Sequence, residues 1–115
     1  RAEFRTACDE LFVRHPKLNS FGWTQYTMYF CDGDPTYFNV NDYDLYLNEK
    51  RGGDYRDEDE DGPVEDWERP AEQDIAKTIG ALPDEVMKDL FGDHIKVIIH
   101  RDRAKPDLEE YSDHN

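Results

Sequence analysis

Apolar residues in this chain change period twice, and each change predicts an element. Phe4, Ala7, Cys8, Leu11 and Phe12 recur at the spacing of one helical face, which predicts an amphipathic helix. His15 and Pro16 end it, because the residue before a proline is pushed out of the helical region. The stretch SFGWTQYTMYF then alternates, with Thr24, Tyr26, Met28 and Phe30 on one side and Trp23, Gln25, Thr27 and Tyr29 on the other. Aromatic and Thr-rich alternation predicts a strand. The turn-forming CDGDP follows, then TYFNVN, so residues 21–31 and 37–41 are expected to pair as a hairpin. DLYLN reads as a third strand with Leu45 and Leu47 on one face.

From Glu49 to Pro70 no apolar period survives, which predicts a long acidic loop. AEQDIAKTIGAL and LPDEVMKDLFGDH predict two short helices, the first burying Ile75 and Ile79, the second Val86, Met87, Leu90 and Phe91. Pro83 near the first turn and Gly92 as a stop frame the second. HIKVIIHR is a strand with little polar face, expected inside the sheet. The polar residues 107–115 read as a tail. This order predicts one α+β domain over 1–115: two layers, a mostly antiparallel sheet of three to five strands, and helices on one face.

Charge alters this picture in one place. The chain of 115 residues carries a formal net charge of −14. Asp54, Asp57, Glu58, Asp59, Glu60, Asp61, Glu65, Asp66, Glu68, Glu72 and Asp74 stand against only Arg56 and Arg69 in their segment, and residues 107–115 add four more acids. The remainder is nearly neutral. Direct contact with a nucleic-acid backbone is disfavoured, since phosphates need cationic partners. A basic protein or a cation is the expected partner.

One acidic stretch, DEDEDGPVEDWE, matches the calcium-loop pattern D-x-[DN]-x-[DN]-G-x₅-E. Asp57, Asp59 and Asp61 fall at its chelating positions, Gly62 at the sharp turn and Glu68 at the bidentate position. Two features oppose a calcium site. The preceding EKRGGDYR has no helical stripe, and Pro70 stands where the exiting helix should run.

Other chemistry is thinly represented. His15, His94, His100 and His114 are scattered, and neither Ser20 nor Ser112 has the glycine elbow of a serine nucleophile. HRD at His100–Asp102 lacks the glycine-rich and metal-binding motifs of a kinase. His94 is more easily read as a turn residue than as a general base. The aromatic strand lacks the flanking cations that base stacking would need, since none lies between Lys17 and Lys50. Cys8 and Cys31 sit in apolar patterns, as buried free thiols of a reducing compartment would. No run is long enough to span a membrane and no signal-peptide pattern opens the sequence.

SFGWTQYTMYFCDGD, LFGDHIKVIIHRD and the closing EEYSDH resemble a family of small acidic proteins of bacteriophage and bacterial genomes. The resemblance covers roughly 1–48 and 80–115 and skips the acidic middle. It supplies no site residues, and implies a phage-type inhibitor of a host protein.

The expectation is a non-enzymatic, cytoplasmic binding protein without cofactor, facing a basic nucleic-acid-binding or host-defence protein, in its sharper form by nucleic-acid mimicry. Its contacts would be Asp54, Asp57, Glu58, Asp59, Glu60, Asp61, Glu65, Asp66 and Glu68, with Trp23 as the aromatic anchor. The alternatives are a divalent-cation module holding calcium on Asp57, Asp59, Asp61 and Glu68, and a small enzyme without a visible motif.

Overall fold

Strand β1 (Ser20–Thr27) organises the sheet. The structure, a computed structural model, describes residues 2–27, 38–53, 56–103 and 105–111. Along one edge β1 pairs first with β3 (Tyr46–Leu47), through Phe21↔Leu47, and further on with β2 (Phe38–Val40), through Gln25↔Val40 to Thr27↔Phe38. Its other edge pairs over six residues with β5 (Ile95–His100), from Ser20↔His100 to Gln25↔Ile95. Beyond these, β4 (Lys50–Arg51) adds to β3 and β6 (Asp107–Glu110) to β5. Among the described residues every pairing is antiparallel, and the sheet has six strands rather than the expected three to five. The two strands not read from the sequence, β4 and β6, are edges. An exposed edge needs only a backbone ladder, so its side chains carry no apolar alternation to read. The predicted hairpin is present where it is described, while its CDGDP turn lies outside the described residues.

Helices α1 (Ala2–Arg14), α3 (Glu68–Gly80) and α4 (Asp84–Phe91) cover the face that carries Phe21, Trp23, Val97 and Ile99. Phe4, Cys8, Leu11 and Phe12 reach that core from α1, Ala71, Ile75 and Ile79 from α3, and Met87 from α4. Trp23 lies at its centre, fully buried. The indole stacks on Phe21 at 6.2 Å between centroids and meets Phe4 and Phe91 edge-on at 6.1 and 5.5 Å. Trp23 is therefore part of the core and not a partner contact, which corrects the sequence-based assignment. Its neighbour Gln25 explains the misreading. Gln25 is also fully buried, accepting from the Trp23 Nε1–H at 2.9 Å and donating to the Met87 and Gly92 carbonyls at 2.9 and 2.8 Å. The Met87 carbonyl belongs to α4 itself and the Gly92 carbonyl to the residue that caps its end. A polar residue on an apolar face thus ties sheet to helix.

On the opposite face, Gly22 stands where the backbones come close. A Cβ there would lie 2.6 Å from the Val97 carbonyl oxygen.

The predicted long loop also needs correction. Residues 49–70 hold β4, a short helix α2 (Glu58–Asp61) and the first turn of α3. Pro70 lies inside that first turn, where its missing N–H has no helical acceptor to lose. The proline that seemed to forbid a helix at Glu68 is compatible with one.

Candidate interaction surface

The acidic segment is built around one cation. Asp57 caps α2, its carboxylate accepting from the Asp59 and Glu60 amides at 3.1 and 3.4 Å. Gly62 ends the turn at a φ of 80°, a region that favours glycine. Arg56, the residue just before the cap, then folds back into the segment. Its Nη1 donates to the Gly62 and Pro63 carbonyls, 3.2 Å each, its Nη2 pairs with a Glu68 oxygen, and its Nε donates to the Arg51 carbonyl. The second Glu68 oxygen accepts from the Glu65 amide at 2.8 Å. Both side chains of the pair are only 3% exposed.

This geometry bears directly on the calcium-loop pattern. Pro63 and Glu68 stand at its seventh and twelfth positions, where a backbone carbonyl and a bidentate carboxylate would bind the ion. Both are turned to the guanidinium instead, and Asp57, the first position, is engaged by backbone amides. The arginine stands in for the cation. Among the described residues, no group of three or more His, Cys, Asp or Glu is placed to share a metal.

What this frame presents outward is acidic. Asp57, Glu58, Asp59, Glu60, Glu65 and Asp66 are exposed and Asp61 is half-buried. Glu68 is not on the surface, a second correction to the predicted contact set, because its charge is needed inside. Asp54 lies outside the described residues. Behind the surface, Glu72 on α3 turns its carboxylate to the Gly53 amide, and burial raises its pKa above the ordinary value, with Glu68 nearby adding to the rise. A Cβ on Gly52 would come within 2.5 Å of Glu72 Oε1, so this glycine makes room for the carboxylate.

The aromatic bordering the surface is Trp67, not Trp23. Half-buried against the core, it lines a groove with Arg14, His15, Pro16, Lys17 and Pro70. Beside that groove Asp74 accepts from Arg14 Nε and meets His15 Nε2, each at 2.8 Å, joining the end of α1 to α3. The Arg14 contact holds the Asp74 carboxyl below its usual pKa despite some burial.

Sequence reasoning passed over Arg56 and Trp67. Arg56 had a signal: it is one of two cations among eleven acids in 54–74, and it directly precedes the densest run. Trp67 had none beyond its place next to that run.

Among the described residues the histidines do not converge, and His114 lies outside them. His94 forms the α4–β5 connection at a φ of 53°. His100 has one ring nitrogen on Asp107 at 2.7 Å and the other on Arg103 at 3.3 Å. Among the described residues no helix is long and apolar enough to cross a membrane. Comparison with family models, curated proteins and solved structures gives no match.

Proposed function

We propose that this chain is a non-enzymatic binding protein whose acidic surface, Asp57–Asp61 with Glu65 and Asp66, engages a basic surface of another protein. The sharper form is an inhibitor of a nucleic-acid-binding or host-defence protein that occupies a phosphate-binding channel. The observation supporting it is the Arg56 clamp. Charges on a floppy loop lose freedom when they dock, whereas charges on a fixed frame meet a partner already arranged. An interior arginine that holds the segment shut while its acids face out is an arrangement suited to docking and unnecessary for solubility. Trp67, at the border, would add a short-range contact of the kind that slows dissociation.

The test begins with affinity purification from the native cell and continues with the recovered partner in defined solution. The protein should compete with duplex DNA for that partner, and the variant Glu58→Gln/Asp59→Asn/Glu60→Gln/Asp61→Asn should not. A neutralised variant that binds as tightly as the parent would sink the proposal.

A further inference from the structure

A half-enclosed cavity of about 200 Å³ opens where α1, α4 and β5 meet, far in sequence from the acidic segment. Phe4, Cys8, Leu90, Phe91 and Ile99 form its apolar lining, and Pro106 closes one side. Among the described residues Arg5 is its one charged lining residue. The guanidinium is held in place, Nη2 donating to the His100 carbonyl at 3.2 Å and Nε pairing at 3.0 Å with Asp9, an exposed acid. Cys8 stays neutral at physiological pH, because burial pushes its thiol up to about 12.

We propose that this cavity binds a small amphipathic carboxylate, with its hydrocarbon part among Phe4, Leu90, Phe91 and Ile99 and its carboxylate on Arg5. Size and charge define the class. Apolar cavities of ~150 Å³ take up benzene, so this one has room for an aryl ring or a chain of roughly six to eight carbons. With Nε on Asp9 and Nη2 on the His100 carbonyl, the guanidinium keeps Nη1 to donate, which suits a single carboxylate. A phosphate dianion would call for further donors.

Octanoate and octan-1-ol, which share a chain and differ in charge, are the probes. Each is titrated into the full chain while backbone and methyl NMR shifts are followed. Octanoate should saturate with shifts clustered at Cys8, Leu90 and Ile99, and octanol should bind about tenfold more weakly, the value of one charge-assisted hydrogen bond. Arg5→Gln should bring octanoate down to the level of octanol, Arg5→Lys should keep a preference for octanoate, and Leu90→Trp, which fills the mouth, should remove both. Equal binding of the two probes by the unaltered chain, shifts that never saturate, or a preference that survives Arg5→Gln would overturn the proposal. The comparison of probes on the unaltered chain needs no variant to fold.

Discussion

Arg56 and Glu68 form a buried ion pair inside the most acidic segment of the chain, with both side chains almost wholly withdrawn from water. Burying two charges is costly, and their attraction offsets that cost only when the remaining hydrogen bonds are satisfied. Here they are: the guanidinium reaches three backbone carbonyls, and the carboxylate takes a backbone amide on its second oxygen.

Removing one partner should therefore be much worse than removing both. Arg56→Ala or Glu68→Ala should each destabilise by roughly 3–5 kcal/mol, because a buried charge is left alone, while Arg56→Met/Glu68→Met should fall within about 1 kcal/mol of the parent. Urea unfolding of the three variants measures this. Calcium supplies a second check. Arg56→Ala frees the Pro63 carbonyl and the Glu68 carboxylate, so millimolar calcium should restore part of its stability and none of that of Glu68→Ala. Equal loss in single and double variants would mean that the pair is not coupled.

Glu72 carries an opposite pH signature to that of a salt-bridged acid. Burial raises its folded pKa above the usual 4.5, so the folded state binds its proton more readily than the unfolded state does. The penalty from Glu72 is then absent at low pH and grows as pH rises through the raised folded pKa. Glu72→Gln keeps an acceptor for the Gly53 amide and removes the buried charge. It should stabilise the chain at pH 7, and the gain should shrink as pH falls and vanish well below 4.5. Thermal melting of both proteins across pH 3 to 8 gives the comparison; a gain independent of pH would refute burial of the charge as its cause.

Which parts of this fold could be read in advance follows from which side chains are buried. The place of β5 inside the sheet was legible because Ile95, Val97, Ile98 and Ile99 leave little polar face, whereas its pairing with β1 was not. β6 was not, since Leu108 is half exposed and its neighbours are acids. Alternation also shows that a strand has two faces without showing which one the helices will cover. Trp23 shares its face with Gln25 and Thr27, and that polar company made it resemble a surface residue. The Met87 and Gly92 carbonyls that accept from Gln25, and the Asp93 carboxylate that accepts from Thr27, are distant in sequence and visible only once folded. The acidic surface was legible as charge but not as shape, because its centre is a single arginine held by backbone carbonyls, which no side-chain pattern records.

The two tryptophans should separate folding from binding. Trp23→Ala removes the centre of the core and should cost roughly 3–5 kcal/mol, leaving little folded protein to assay. Trp67→Ala trims a half-buried ring and should leave the fold intact. Against the recovered partner it should raise the dissociation rate with little change in association, as an anchor at the edge of a charged surface would. Circular dichroism and surface-bound kinetics distinguish the two effects, and a Trp67→Ala chain that binds as the parent does would place the short-range contacts elsewhere.

The most informative variant is one that makes the chain more acidic. If net charge alone drives binding, Arg56→Met/Glu68→Gln, which removes one charge of each sign, should bind as the parent does, and Arg56→Gln, which adds a net negative charge, should bind faster. If the arrangement of acids matters, both should bind more weakly, because Glu58, Asp59, Glu60 and Asp61 then stand on a segment released from the Gly62 and Pro63 carbonyls. The kinetics separate these cases. Long-range attraction acts on association and weakens with salt, as the Debye length falls from about 10 Å at 0.1 M to about 3 Å at 1 M. Loss of a preformed surface leaves that salt dependence intact and appears as slower productive docking and faster release. The expected result is therefore an unchanged slope of association rate against salt, with affinity reduced by roughly tenfold or more for a surface that must be ordered on binding. Neutralising Glu58, Asp59, Glu60 and Asp61 should do the reverse, flattening the salt slope first. Should Arg56→Gln instead tighten binding, the clamp serves only the fold, and the acids act as a diffuse charge.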